Sequence, residues 1–499
     1  MALARFFDRV YAAAGRHLAV DRATLETALG DRVVAVHCGP EVEAGEGSPR
    51  WVADMLVNLL ARLYPRIALA APVASRPRLE ELARAINPAI EILDGAAPAM
   101  ATVVVGSVEG FSPGAFHARA DGWVASLLRA PDPRPWGPAN PYAAAAAATF
   151  AASEVFRSIF HDRLAAPALA RDVHLSLLDF GEATGADRPL STAHLGEVAF
   201  LGLGAVCNAA LWTLARHPGL SADGWLVDPE PADLSNLQRY LLTLNSDVGR
   251  PKTELALRAL AGTGLVLKPR SETLEAFADS FPESFKVPTV CVSVDNIEGR
   301  RAAQALLPRL IVNGWTSDGG LGASWHEFDH EAACLACLYQ PRGIGLSQTE
   351  LVADALGLER LRGAELWIKS VPPSERDLLT IAEHLGLGSD ALAAWRGKPL
   401  SELYTGLVCG AAGVDLRGRG QSEAVPLAHQ SALAGILLAA ELVKRTDPEL
   451  TALAQPESLV AWDDVLRPPP PRWARPRERE PRCICGDADY QDVYRAKWR

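Results

Sequence analysis

The chain has 499 residues, 49% of them hydrophobic, with 60 acidic against 49 basic side chains and a formal charge of −11. That length has room for about three domains of ~150 residues with a large core, and the acidic balance is the wrong sign for coating a nucleic-acid backbone. Eight scattered cysteines exclude a secreted disulfide framework, and the four that fall in close pairs favour metal ligation in a reducing compartment.

The N-terminal stretch MALARFFDRVYAAAGR carries Arg5, Asp8 and Arg9, so it lacks the apolar core of a signal peptide. The longest apolar run, Tyr142 to Ala152, is short of the ~20 residues that span a bilayer. A cytoplasmic protein with no membrane or nucleic-acid partner is expected. Residues 31–107 then alternate short β-branched runs with an amphipathic stretch: DRVVAVHCG, WVADMLVNLLARLYP, IALAAP, EILDG and ATVVVGS. Near-continuous apolar strands in strand–helix–strand order predict a parallel sheet covered on both faces.

The plan recurs from residue 196, in GEVAFLGLG, a helix from about Asn208 to Arg216, GWLVDPE, GLVLKPR and PTVCVSVDN. Each half also ends in an alanine-rich helix after a proline, at 140–157 and 425–445. We read a weak internal repeat of a Rossmann-like unit. In the first half no tight glycine fingerprint follows the first strand, and Ala71-Pro72 stands where an acidic residue would close the second, so a nucleotide site there has decayed. Between the halves' last elements, residues 342–404 carry leucines at helical spacing cut by Pro372-Pro373, which predicts a small helical insertion. Residues 467–482, RPPPPRWARPREREPR, read as an extended connector over the surface.

Chemistry concentrates in the second half. Leu201-Gly202-Leu203-Gly204-Ala205-Val206-Cys207 follows a predicted strand and opens a helix, the setting in which backbone N–H groups and the helix dipole approach phosphates. Cys207 takes the third glycine position, and the turn alone would equally suit nicotinamide or flavin. Asp228 closes the next strand, placed to accept from ribose hydroxyls. Asn236, Arg239 and Lys252 follow. A dehydrogenase has no use for them, whereas a triphosphate beside an attacking carboxylate needs such donors; taken singly, each would read as part of a solvated loop. Asp295 ends a further strand before Arg300-Arg301, either as a magnesium ligand or as a helix N-cap.

Cys334-Leu-Ala-Cys337 and Cys483-Ile-Cys485 supply four thiolates from two turns, suited to a closed tetrahedral zinc. Cys38 and Cys291 lie in apolar strands as small hydrophobes. Cys409, in LYTGLVCGAAGVDLRGRG, is followed by Gly410 and Gly413 in a flexible segment, as a reachable nucleophile requires.

The runs LGLGAVCNAALWTLAR, VDPEPADLSNLQRY, VGRPKTELA and SVDNIEGRRAAQ resemble the ThiF/MoeB and ubiquitin-activating enzyme superfamily over roughly residues 190–340. The resemblance implies an α/β fold of two ThiF-type units in tandem: an inactive one at 1–180, an active one at 181–341 with 410–499, and a helical cysteine-bearing insertion at 342–409. It implies that Gly202, Gly204 and Asp228 hold ATP, that Asn236, Arg239 and Lys252 contact phosphates, that Asp295 supports Mg2+, and that Cys334, Cys337, Cys483 and Cys485 hold Zn2+. Catalysis would fall to Arg239, Asp295 and Cys409, with Arg5 or Arg9 completing the ATP site from the first half of a pseudo-dimer. The implied reaction is adenylation of the C-terminal carboxylate of a ubiquitin-like β-grasp protein, thioester formation on Cys409 and transfer to a conjugating enzyme, in a bacterial antiviral setting. The alternative is a sulfur-carrier activator, against which the long first half and the insertion argue.

Overall fold

A computed structural model of the chain describes residues 4–43, 45–108, 114–164, 169, 171–281, 284–329, 331–340, 348–388, 392–409 and 425–499. The chain divides into a large unit, Met1–Gln340 with Pro426–Arg499, and a small one, Pro341–Val425.

The large unit holds two sheets. The first comprises β1 (Val34–Cys38), β2 (Arg66–Ala70), β3 (Glu91–Asp94), β4 (Ala101–Val105), β5 (Phe116–Asp121), β6 (Val124–Leu128) and β7 (Val173–Ser176). The second comprises β8 (Ala193–Leu201), β9 (Leu220–Val227), β10 (Gly264–Arg270), β11 (Thr289–Val292), β12 (Leu310–Thr316), β13 (Leu321–Glu327), β14 (Leu459–Trp462) and β15 (Ala474–Arg475). Their orders are β3-β2-β1-β4-β5-β6-β7 and β10-β9-β8-β11-β12-β13-β14-β15. In each the first five strands run parallel and the sixth and seventh pair antiparallel. The plan is thus repeated strand for strand, as two Rossmann-like units in tandem. The central strands β4 and β11 are buried almost throughout, which is why they read as unbroken apolar runs.

The alanine-rich helices occupy equivalent places, Pro141–Ile159 between β6 and β7 and Ala428–Thr446 between β13 and β14. Every residue of the first but Ser158 is buried. Small side chains permit this, because a helix walled in on all sides must let its neighbours' backbones approach. At Gly435 a Cβ would collide with the Val206 carbonyl of the glycine-turn helix, so the second helix presses directly on the element that opens the nucleotide turn. The halves are stitched by buried polar bonds. Tyr142 Oη lies 2.9 Å from His217 Nδ1, and Lys444 Nζ donates to the Leu177 and Leu178 carbonyls at 2.7 and 3.0 Å. Among the described residues no helix is long and apolar enough to cross a membrane.

The small unit contains the helices Gln348–Leu356, Arg360–Ile368, Glu375–Leu385 and Leu400–Cys409 around a core of Val352, Leu356, Leu366, Leu378, Ile381 and Leu403. Ser374 and Asp377 form a capping box at the third helix, and Gly386 closes it in the left-handed conformation, the start and stop devices that helices of this length need. Cys409 closes the fourth of these helices; its side chain, with residues 410–424, lies outside the described residues. One expectation needs correction. The proline-rich connector does more than cross the surface, since Ala474–Arg475 adds β15 to the sheet edge and Ala332 bridges Glu478.

Candidate nucleotide site and metal centre

The carboxyl ends of β8, β9 and β11 meet at the point where the strand order reverses, the crevice in which open α/β sheets bind ligands. Gly202 leaves β8 with φ +81°, and a Cβ there would come within 3.1 Å of Val294, so both conformation and space call for glycine. Gly204 is the N-cap of the Ala205–Leu214 helix, which no side chain caps. Its first N–H groups therefore remain to be satisfied from outside.

Asp228, 7% exposed, closes on this turn. One carboxylate oxygen accepts from Leu203 N at 2.7 Å and the other from Glu230 N at 2.9 Å. Lys252 Nζ stands 3.5 Å from Asp228 and 2.6 Å from Glu230. Burial alone would lower the lysine's pKa, but Tyr240, Asp228 and Glu230 outweigh it and hold the ammonium above its ordinary value. The cation is thus secured at the turn at neutral pH. Asn236 and Arg239 lie on the turn that follows. Asn236 Oδ1 accepts from Asp233 N at 2.9 Å, closing the capping box of the Leu234–Gln238 turn. Arg239 and Lys252 both lie 5.6 Å from the Tyr240 ring centroid, so one aromatic ring supports both cations.

Asp295 is exposed, three residues past β11, and receives Asn296 Nδ2 at 3.3 Å. The helix N-cap is Asn296, whose Oδ1 accepts from Gly299 N at 2.6 Å; Asp295 therefore remains an available oxygen donor. Arg300 turns inward to Asn313, Tyr339 and the Gly314 and Val294 carbonyls and acts as a tether under the site. Arg5 is exposed. Arg9 lies on the helix Phe7–Leu18, which packs against the Leu234–Gln238 turn. Burial would raise Asp233, but Ser235, the Leu234 N–H and nearby Arg9 together hold it below its usual value.

Two residues of this site were not singled out from the sequence. Asn208 Nδ2 donates to the Leu203 and Gly204 carbonyls at 2.9 and 3.0 Å while Leu242 N donates to its Oδ1 at 3.1 Å, locking the glycine turn to the segment that carries Arg239 and Tyr240. Tyr240 is the second; its only signal was its place beside Arg239.

The first half treats the same position differently. After β1, Gly39 leads into a Pro40–Glu43 turn, and the Glu41 carboxylate accepts from Ser107 N at 3.0 and 3.1 Å. A carboxylate holds the place where phosphates would need donors.

The four paired cysteines come together. Their sulfurs lie within 4.8 Å of one another, with Cys334 3.4 Å from Cys483 and Cys337 3.4 Å from Cys485. Zn–S bonds of ~2.3 Å give a tetrahedron with edges of about 3.8 Å, so the set fits zinc, Cys483 and Cys485 both included. Mutual hydrogen bonding holds Cys485 down to about 7 and pushes Cys334 up; four thiolates this close need a cation among them. Cys337 Sγ also accepts from Glu480 N at 3.4 Å, and Gln340 Nε2 donates to Cys483 at 3.5 Å, the outer bonds that orient metal ligands.

Comparison with known proteins gives three findings. The whole chain is 36% identical over 516 residues to the uncharacterized protein y4jF of Sinorhizobium fredii, covering 98% of it. Residues 42–161, inside the first half, match the family model described as Prokaryotic E2 family C. Among solved structures, E. coli MccB with ATP aligns at a TM-score of 0.34 and 15% identity over 57% of this chain and 64% of that one. MccB with MccA aligns at 0.36 and 16% over 58% and 66%, so the chain spans a little under two-thirds of MccB.

Proposed function

The chain belongs to the family of Sinorhizobium fredii y4jF, and we propose that it is an ATP-dependent activating enzyme for a ubiquitin-like protein. The observation that carries this reading is the joining of Asp228, the Gly202–Gly204 turn and the Lys252 ammonium in one crevice, beside a first half whose equivalent turn is occupied by Glu41. The motif order of the ThiF/MoeB and ubiquitin-activating superfamily in the second half, and the E2 description matched by the first, support it.

In this reading Asp228 holds the ribose, the free N–H groups after Gly204 and the side chains of Asn236, Arg239 and Lys252 hold the phosphates, and Arg9 adds a donor from the first half. Asp295 would hold Mg2+ together with phosphate oxygens; the ion would neutralise charge on the leaving pyrophosphate. A carboxylate oxygen of the substrate's C-terminus attacks the α-phosphorus, forming the acyl–adenylate bond as the α–β phosphoanhydride breaks. Thiolate attack by Cys409 on the acyl carbon then expels AMP and leaves a thioester for a conjugating enzyme. A zinc ion held by Cys334, Cys337, Cys483 and Cys485 would tie the C-terminal segment to the turn after β13.

ATP–pyrophosphate exchange with small β-grasp proteins, followed by a non-reducing gel, tests this. Exchange with a thiol-sensitive adduct is expected, and Cys409→Ala should keep the exchange and lose the adduct. Exchange without an adduct in the unaltered chain would favour a sulfur-carrier activator. No exchange with any such protein would overturn the proposal.

A further inference from the structure

Arg62 follows the Ser48–Leu60 helix of the first half and is 1% exposed. Its side chain crosses into the second half. Nη1 donates to the Leu237 carbonyl and Nη2 to that of Thr243 at 3.2 Å, while Nε donates to Asn58 Oδ1 at 2.9 Å. Asn58 Nδ2 in turn donates to the Leu241 carbonyl at 3.1 Å. Three buried carbonyls that bracket Arg239 and Tyr240 are thus held by two side chains of the other half. Among the described residues no carboxylate forms an ion pair with Arg62.

A buried guanidinium whose acceptors are all neutral is a costly way to fill space, because desolvation of the charge is not repaid by a counter-ion. An apolar side chain would pack there at less cost. What arginine adds is a planar fork that fixes two carbonyls at a set separation, and a positive charge beneath a loop that faces anions, in a low-dielectric setting where its field is little screened. We propose that Arg62, braced by Asn58, is a positioning residue: the first half holds residues 237–243 in the shape that presents Asn236 and Arg239 to a nucleotide triphosphate. This rests on the nucleotide reading above.

The test uses the full chain with MgATP as probe, measured by calorimetry below the melting temperature of every variant. Arg62→Met should weaken binding by about tenfold or more, Arg62→Lys by less, and Asn58→Ala by a few fold. Lys444→Met removes an equally buried cation from the contact between halves but touches no part of this loop, so it should lower the melting temperature and leave affinity unchanged. Hydrogen exchange of amides 234–244 should speed up in the Arg62 and Asn58 variants and not in Lys444→Met. Unchanged affinity in a folded Arg62→Met chain, or an equal loss in Lys444→Met, would overturn the inference. Should Arg62→Met not fold, unchanged affinity and exchange in Asn58→Ala would overturn it. Absence of MgATP binding by the unaltered chain would remove the nucleotide reading and this inference together, whereas equal binding by the unaltered and Arg62→Met chains would remove this inference alone.

Discussion

Asp228 shapes the glycine turn through Leu203 N and, in the function proposed above, accepts from the ribose; both roles draw on its negative charge. Asp228→Asn keeps the shape but weakens the bond from Leu203 N and the pairing with Lys252. ATP affinity should fall by about a hundredfold with a small loss of stability, which parallel calorimetry and thermal melts would separate. The thiols divide on similar grounds. Burial pushes Cys38 and Cys207 up to about 12 and Cys291 well above its ordinary value, so none is a useful thiolate at neutral pH. Brief alkylation of the native chain at pH 7.5 should leave these three unmodified by mass spectrometry until denaturant is added; labelling of Cys207 would show that the turn opens. At this scale the sequence exposed residues whose chemistry is local to a motif, such as Gly202, Asp228 and Lys252. It hid Arg62 and Asn58, because their work is done on carbonyls some 180 positions away and nothing in the run LVNLLARLYP distinguishes a positioning arginine from a solvated one.

At the level of elements, the C-terminal segment is held at several points. The cysteine cluster joins Cys334 and Cys337 to Cys483 and Cys485, the helix Ala488–Trp498 is anchored by Trp498 Nε1 to the Leu307 carbonyl at 2.8 Å, and Gln491 Nε2 bonds the Cys485 carbonyl at 2.9 Å. Removing one ligand should release the metal and loosen the whole tail, since metal affinity and local folding are one free energy. Elemental analysis should give one zinc per unaltered chain and none for Cys485→Ser, and the variant should be cut by trypsin at the arginines of 467–482 faster than the unaltered chain. A resistant, zinc-replete variant would contradict the assignment. The pairs were legible because C-x-x-C and C-x-C spacing is itself the chemistry. The connector's β15 was not, since proline and arginine content says extended and cannot say what the extended chain pairs with.

For the whole molecule, the repeat came through because buried parallel strands leave continuous apolar runs, while the identical strand order appeared only in the folded chain. The contact between the halves carries a testable charge. Lys444 is fully buried; burial lowers its pKa to about 8 in spite of Glu441 beside it. Between that value and the ordinary lysine range the unfolded chain binds a proton that the folded chain has released, so stability rises with pH through this window, by on the order of 3 kcal/mol. Half-buried Lys497 is lowered in the same way, so denaturant melts between pH 7.5 and 10.5 should show a rise in both chains, smaller in Lys444→Met than in the unaltered chain by roughly that amount.

Among the described residues the two turns differ in what they hold, the Glu41 carboxylate in the first unit and the Lys252 ammonium in the second, so the proposed function fixes a stoichiometry. Titration of the full chain with MgATP measures this directly. One nucleotide per chain, bound about a hundredfold more weakly by Asp228→Asn and indifferent to NAD, is the predicted result. Two nucleotides per chain, none, or displacement by NAD would contradict the account.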